Sequence, residues 1–261
     1  MRTFLEIVTA IVAVLALVVA FHANRIAGES LANANTESYR SARSEVGAAA
    51  ARMEELDLAR SRRNGVQIEI LGSQADMLIE QYGQANLQLP GQVYRIIAQY
   101  LVLDTDNLLV AKKLADEAAR IEREKGSAGT LELIRTHRVL AEIAAQDGLV
   151  DQMNMEYEAA LSLAEAYSGP TGSAPIKVST QRTRAFALFT SLLAAEKGGG
   201  TEACDAANRY FADATDDRLE NLLQSHNLDV ARRAYRVSAK NPCEIPGLKL
   251  QRWKEVWRNR T

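Results

Sequence analysis

What most constrains this chain is its punctuation. From residue 66 onward, stretches of helical periodicity alternate with short runs of helix-breaking residues. The breakers read "QLPGQ" at 88–92, "LDTDN" at 103–107, "EKGSAGT" at 124–130, "AQDG" at 145–148, "YSGPTGSAP" at 167–175, "EKGGG" at 196–200, "SHNLD" at 225–229 and "NPCEIPG" at 241–247. Gly, Pro, Asn, Asp and Ser dominate them, as turn geometry demands. Between them lie segments of about 10 to 20 residues, the size of ordinary globular helices. In "NLLVAKKLADEAARIERE", Leu108, Ala111, Leu114, Ala115 and Ala118 share one face, with Lys and Glu opposite. Aromatic residues are only 6% of the chain and alanine is abundant. Close-packed helices fit that balance, because alanine has the best helix propensity whereas strands favour branched and aromatic side chains. The expectation is an all-α protein in which 66–246 form antiparallel helical hairpins, since short loops leave neighbouring helices antiparallel. A series of such hairpins makes a solenoid or a bundle.

One hairpin has a more particular pattern. "LAEIAAQDGLVDQMNMEYEAALSLA", Leu140 to Ala164, resembles a single tetratricopeptide repeat. Leu140 followed by Ala141 matches its first helix, Gly148 falls at the turn, and Tyr157 precedes small Ala160 by three residues in the second helix. "NLLVAKKLADEAARI" and "NLDVARRAYRVSA" look like second helices of further repeats. The chain departs from the family in two ways. Met153 stands where a small residue is usual, and the turns fall near 105, 147, 198 and 227 rather than at the family's period of about 34 residues. An unrelated helical bundle therefore stays open beside the repeat reading. The resemblance implies partner binding, of a peptide or helix, on a concave surface, and implies no chemistry.

The N-terminal region is of another kind. Phe4 to Phe21 is apolar apart from Glu6 and Thr9. As a helix these residues would measure about 27 Å, near the short end for a membrane span. The reading adopted is an uncleaved signal-anchor at 1–24. The rival is a secretory signal cut after Val18-Val19-Ala20, but no polar stretch precedes that site. Arg2 and the α-amino group before the span outweigh the lone Arg25 after it, and the next basic residue is Arg40. Short-flank charge thus leans towards a bulk outside the cytoplasm, in the manner of a bacterial inner-membrane protein facing the periplasm. No second span is evident.

A juxtamembrane helical stalk is expected over 25–65. Tyr39, Ala42, Val46, Ala49, Met53 and Leu56 recur at alternating spacings of 3 and 4, the seam of a weak coiled coil between copies or of a helix lying against the body. "RSRRNG", Arg60 to Gly65, reads as a helix C-terminus with Gly65 in a left-handed turn.

Chemistry is sparse. His22, His137 and His226 are not spaced to share a helix face, and neither a His-Glu-x-x-His nor a paired-Cys motif occurs. "LDTDN" lacks the Gly and later Glu of a calcium loop. "KGGG" has neither the Lys-Ser/Thr nor the preceding strand of a phosphate loop. No catalytic residue, cofactor or metal site is expected. Cys204 and Cys243 are the two cysteines; in an oxidising space they would pair, and otherwise they are two thiols. The tail "LKLQRWKEVWRNR" is read as a basic amphipathic helix within 247–261. Trp253 and Trp257 share one face of it, either at a lipid interface or capping the array.

The function expected is a non-catalytic scaffold or adaptor that binds a membrane or envelope protein, without nucleic acid. Its contact surface would include Arg135, His137 and Arg138 on a first helix, with Trp253 and Trp257 of the tail, which could also dock an acidic partner. The alternative is an extracytoplasmic sensory or small-ligand-binding helical domain acting through a partner.

Overall fold

The computed structural model describes residues 2–58, 64–102, 107–167, 173–213, 243–249 and 255. For 2–24, 57–58, 64–65, 173–179 and 213 it gives the backbone course alone. Every regular element among the described residues is helical. They are α1 (Arg2–Leu58), α2 (Asn64–Tyr82), α3 (Gln84–Leu87), α4 (Gly91–Leu101), α5 (Leu108–Glu124), α6 (Thr130–Gln146), α7 (Val150–Ala166), α8 (Ser173–Glu196) and α9 (Gly200–Asp213), with a 3-10 turn at Gly126–Gly129.

The glycine-containing breakers at 145–148 and 196–200 end helices in the same way. Gly148 (φ 70°) and Gly198 (φ 102°) are left-handed. The N–H of Gly148 donates to Ala145 O at 3.1 Å and that of Leu149 to Ala144 O at 2.9 Å. Gly198 and Gly199 donate in the same pattern to Ala195 O at 3.4 Å and Ala194 O at 2.8 Å. These paired bonds satisfy the last carbonyls of α6 and α8 and send the chain back as a hairpin.

Helix α4 pairs with α5, α6 with α7 and α8 with α9, while α2, α4, α6 and α8 touch in series. The result is a row of hairpins with one helix of each in a common layer. The hairpins begin at 91, 130 and 173, spacings longer than the tetratricopeptide period of about 34 residues. Helix α6 is the keystone. Val139, Leu140 and Ile143 join the cluster built from α1 to α5, while Ala141, Ala144 and Ala145 join the one built from α7 to α9. A helix wedged between two apolar clusters is buried nearly all round, and the polar residues it carries are buried with it.

The N-terminal division differs from expectation. Residues 25–38 of α1 are exposed, but Ala42, Val46, Ala50, Met53 and Leu56 lie in the core. The expected stalk at 25–65 is therefore an exposed segment followed by a core helix, and the body starts well before residue 66. The Tyr39–Leu56 seam is covered by the protein's own α2, α3 and α4. Tyr39, for instance, meets the ring of Tyr82 edge-on at 5.8 Å between centroids. Gly65 does not close α1: it lies with Asn64 in the first turn of α2 (Asn64–Tyr82), and α1 is described as far as Leu58. Arg60 to Arg63 lie outside the described residues, as do Trp253, Trp257 and most of the expected C-terminal helix. Among the residues described beyond backbone course, no helix is long and apolar enough to cross a membrane. The run Phe4 to Phe21 belongs to α1, in the part described by backbone course alone.

Candidate functional site

Where α1 and α2 lie side by side, they leave a shallow open groove of about 630 Å³. Its floor is alanine and leucine: Ala48 and Ala49 from α1, Leu71, Ala75 and Leu78 from α2. Small side chains at the crossing keep the surface low. Glu45 and Arg52 stand on the α1 rim, Gln74, Met77 and Gln81 on the α2 rim. An apolar floor with polar edges can take the apolar face of a helix. It offers no convergent set of titratable groups, and among the described residues no group of three His, Cys, Asp or Glu side chains could hold a metal ion.

The second polar concentration is internal. Arg95 of α4 is buried. Its Nε donates to Glu132 Oε2 at 2.9 Å and its Nη1 to Gln99 Oε1 at 2.8 Å, while Nη2 stands 4.0 Å from Glu54 Oε1. Arg135 is the other cation on Glu132. This network ties α1, α4 and α6 together. On α5, buried Glu122 accepts from Lys125 Nζ at 2.7 Å. Its carboxylate lies against Gly91, where the N-terminus of α4 favours negative charge; a β-carbon on Gly91 would meet it at 2.3 Å. Tyr94 is buried beside these helices and donates to Gln84 O at 3.4 Å. Burial, and then the charge of Glu117, push its phenol up to about 12.

The residues expected to shape the repeat are packed as a hairpin. Leu140, Ala141, Tyr157 and Ala160 are buried, and Gly148 makes the turn. The Tyr157 hydroxyl meets Thr190 Oγ1, which in turn donates to Phe186 O. Cys204 and Cys243 are bonded to each other, with Cα atoms 5.0 Å apart, tying the 243–247 turn to α9.

The contact surface anticipated at Arg135, His137 and Arg138 is not a surface. His137 and Arg138 are only 8% and 9% exposed. His137 Nδ1 lies 2.6 Å from Glu156 Oε2 on α7, and the Arg138 guanidinium lies over the Phe186 ring at 4.6 Å. Only Arg135 reaches solvent in part. Their charge suggested exposure, but contacts from α4, α5, α7 and α8 enclose α6. Sequence reasoning also missed Arg95 and its partners, which lack any local signature, and the groove, since its alanine floor looks like ordinary helix filling.

No family model matches the chain, and neither a curated protein nor a solved structure matches it.

Proposed function

We propose that the chain is a membrane-anchored, non-catalytic scaffold that holds another envelope protein at the groove between α1 and α2. That groove carries the reading, because it is shallow and open with an apolar floor, as a docked helix needs, rather than deep with convergent polar groups as a small ligand would need. Three further features support it. The apolar run Phe4 to Phe21 continues into the same helix as the exposed residues 25–38. Helix geometry then makes those 14 exposed residues a rigid spacer of about 21 Å between a bilayer and the body. The pair Cys204–Cys243 suits an oxidising, extracytoplasmic space. The α6–α7 hairpin is taken as tetratricopeptide-like, with Ala141 and Ala160 letting the helices approach beside Tyr157; this agrees with a binding rather than a chemical role.

The test is cross-linking of the full chain in intact membranes, followed by purification in mild detergent. The expected result is one membrane protein recovered near stoichiometry from the native chain and lost from Ala48→Arg, which fills the groove from an exposed position. Equal recovery from Ala48→Arg would place the partner elsewhere, and recovery of the chain alone would remove the scaffold reading.

A further inference from the structure

The groove between α1 and α2 has unequal rims, and the inequality says what fits between them. The two helices run in opposite directions: Tyr39 meets Tyr82, and a β-carbon on Gly72 would lie 3.9 Å from Met53 Sδ. In that register Glu45 stands level with Met77. Arg52 stands level with Leu71, two helical turns or about 10 Å further along α1. Every charge of the lining is on the α1 side. Glu45 and Arg52 are exposed there, whereas α2 offers the amides of Gln74 and Gln81 and the thioether of Met77. Between the rims Ala48, Ala49 and Ala75 leave a hollow, with Leu71 and Leu78 beside them.

The fold makes little use of the two rim charges. Arg52 Nη1 donates to Glu55 Oε2 at 2.7 Å, but both side chains are more than half exposed. That bond takes one of the guanidinium's five N–H donors. Glu45 Oε1 accepts from a neutral donor, the Ser41 hydroxyl, at 3.1 Å. Exposed contacts of this kind contribute little to stability, so a docked partner can share or replace them. A helix laid in the hollow places large apolar side chains over the three alanines, as knobs enter holes. Its flank towards α1 then passes Glu45 and, two turns away, Arg52. A cation and an anion one heptad apart satisfy both. Two like charges satisfy one and oppose the other, and an anionic lipid headgroup is repelled by Glu45. The flank towards α2 meets no charge and needs none.

We propose that the occupant of this groove is an amphipathic helix of mixed charge. One basic and one acidic residue, seven apart, lie on its flank facing α1, and uncharged polar residues lie on its flank facing α2. The inference rests on the groove being the docking site and adds the chemistry that selects the partner. Exposed charge pairs give specificity more than affinity. The apolar hollow therefore holds the helix, and Glu45 and Arg52 choose which helix it holds.

The experiment uses the full chain in neutral detergent and three fluorescent helical peptides of three heptads, with leucine at a and d positions. They differ at two positions one heptad apart on one flank: Lys and Glu, Lys and Lys, or Glu and Glu. The Lys/Glu peptide is expected to bind the native protein about three- to thirtyfold more tightly than either other. That is the effect of losing one exposed pair and gaining one repulsion. Arg52→Glu should move the preference to Lys/Lys, and Glu45→Lys should move it to Glu/Glu, with helix content unchanged. Arg123→Glu makes the same charge change at an exposed position of α5 and should keep the native order. Equal binding of all three peptides to the native protein would overturn the proposal and leave the groove as the docking site. A shift of preference in Arg123→Glu would also overturn it, as an effect of net charge. Binding of no peptide, or binding unchanged by Ala48→Arg, would overturn it together with the groove reading. So would a native dimer that Ala48→Arg turns into a monomer, because a second copy then fills the groove.

Discussion

Replacing Gly129 by alanine should weaken the protein even though alanine is the better helix former. Gly129 precedes α6 with φ −89° and ψ −8°, angles that alanine adopts freely, so the objection is one of space. A β-carbon there would lie 2.1 Å from the carbonyl oxygen of Glu122, 2.9 Å from its carbonyl carbon and 3.1 Å from its Cα. Carbon and carbonyl oxygen settle at about 3.3 Å or more, so the junction must open by roughly 1 Å. The obstructing atoms are main chain in the last turn of α5, which no rotamer change can move. Opening it separates α5 from α6 and loosens the packing of Leu114 and Ala118 in the cluster that holds Leu140 and Ile143. Overpacking of this sort costs about 1–3 kcal/mol, partly offset by about 0.4–1 kcal/mol from the lower chain entropy of unfolded alanine. The net loss is about 1–2 kcal/mol, a fall in Tm of roughly 2–8 °C for a chain of this size. Gly47→Ala is the matched control. Its β-carbon meets nothing within 4 Å, it lies inside α1, and it should gain about 0.5–1 kcal/mol. Urea and thermal unfolding followed by far-ultraviolet circular dichroism would decide the matter. If Gly129→Ala unfolds at or above the native midpoint, the close approach of α6 to α5 is wrong.

Two further outcomes follow from other parts of the fold. Cys204→Ser or Cys243→Ser opens a loop closed over a sequence separation of 39 residues, which should cost about 3–4 kcal/mol; coincident urea midpoints of variant and oxidised native protein would show that the bond contributes nothing. Asp76→Asn should stabilise near neutral pH, because burial first, and then the charge of Glu80, push the Asp76 carboxyl up against the opposing pull of Lys113. With its folded value raised, the native state binds the proton more tightly than the unfolded chain, so the penalty is full at neutral pH and is lost as pH falls through the raised value. The two proteins should converge in Tm below about pH 4, and a native protein more stable than Asp76→Asn near neutrality would show Lys113 to dominate.

The helical hairpins were legible because their causes are local. Gly148 and Gly198 sit where the chain needs left-handed residues, Pro90 precedes α4, and the stretch containing Gly126 and Gly129 separates α5 from α6. The break after Tyr82, where Gly83 separates α2 from α3, was missed because a lone glycine between glutamine-rich segments also suits an unbroken helix. The seam from Tyr39 to Leu56 was legible as a seam, but its partner was not, since the same spacing serves a second chain or the protein's own body. The misplaced surface at His137 and Arg138 came from the usual exposure of charged residues. That rule fails where Glu156 and the Phe186 ring receive the buried groups.

The sequence by itself determined that this is a chain of helices, roughly where each begins and ends, and which positions are apolar, because propensity, capping and i→i+4 hydrogen bonding act within a few residues. Only the tertiary structure decided which apolar faces are spent. It turned the α1 seam inward onto α2 and α4, enclosed the charged residues of α6 between two clusters, and brought Arg95 to Glu132 across 37 positions. It left Val66, Ile70 and Met77 of α2 facing water. Burial depends on everything packed around a residue, and neighbours far apart in the chain have no local sequence signature.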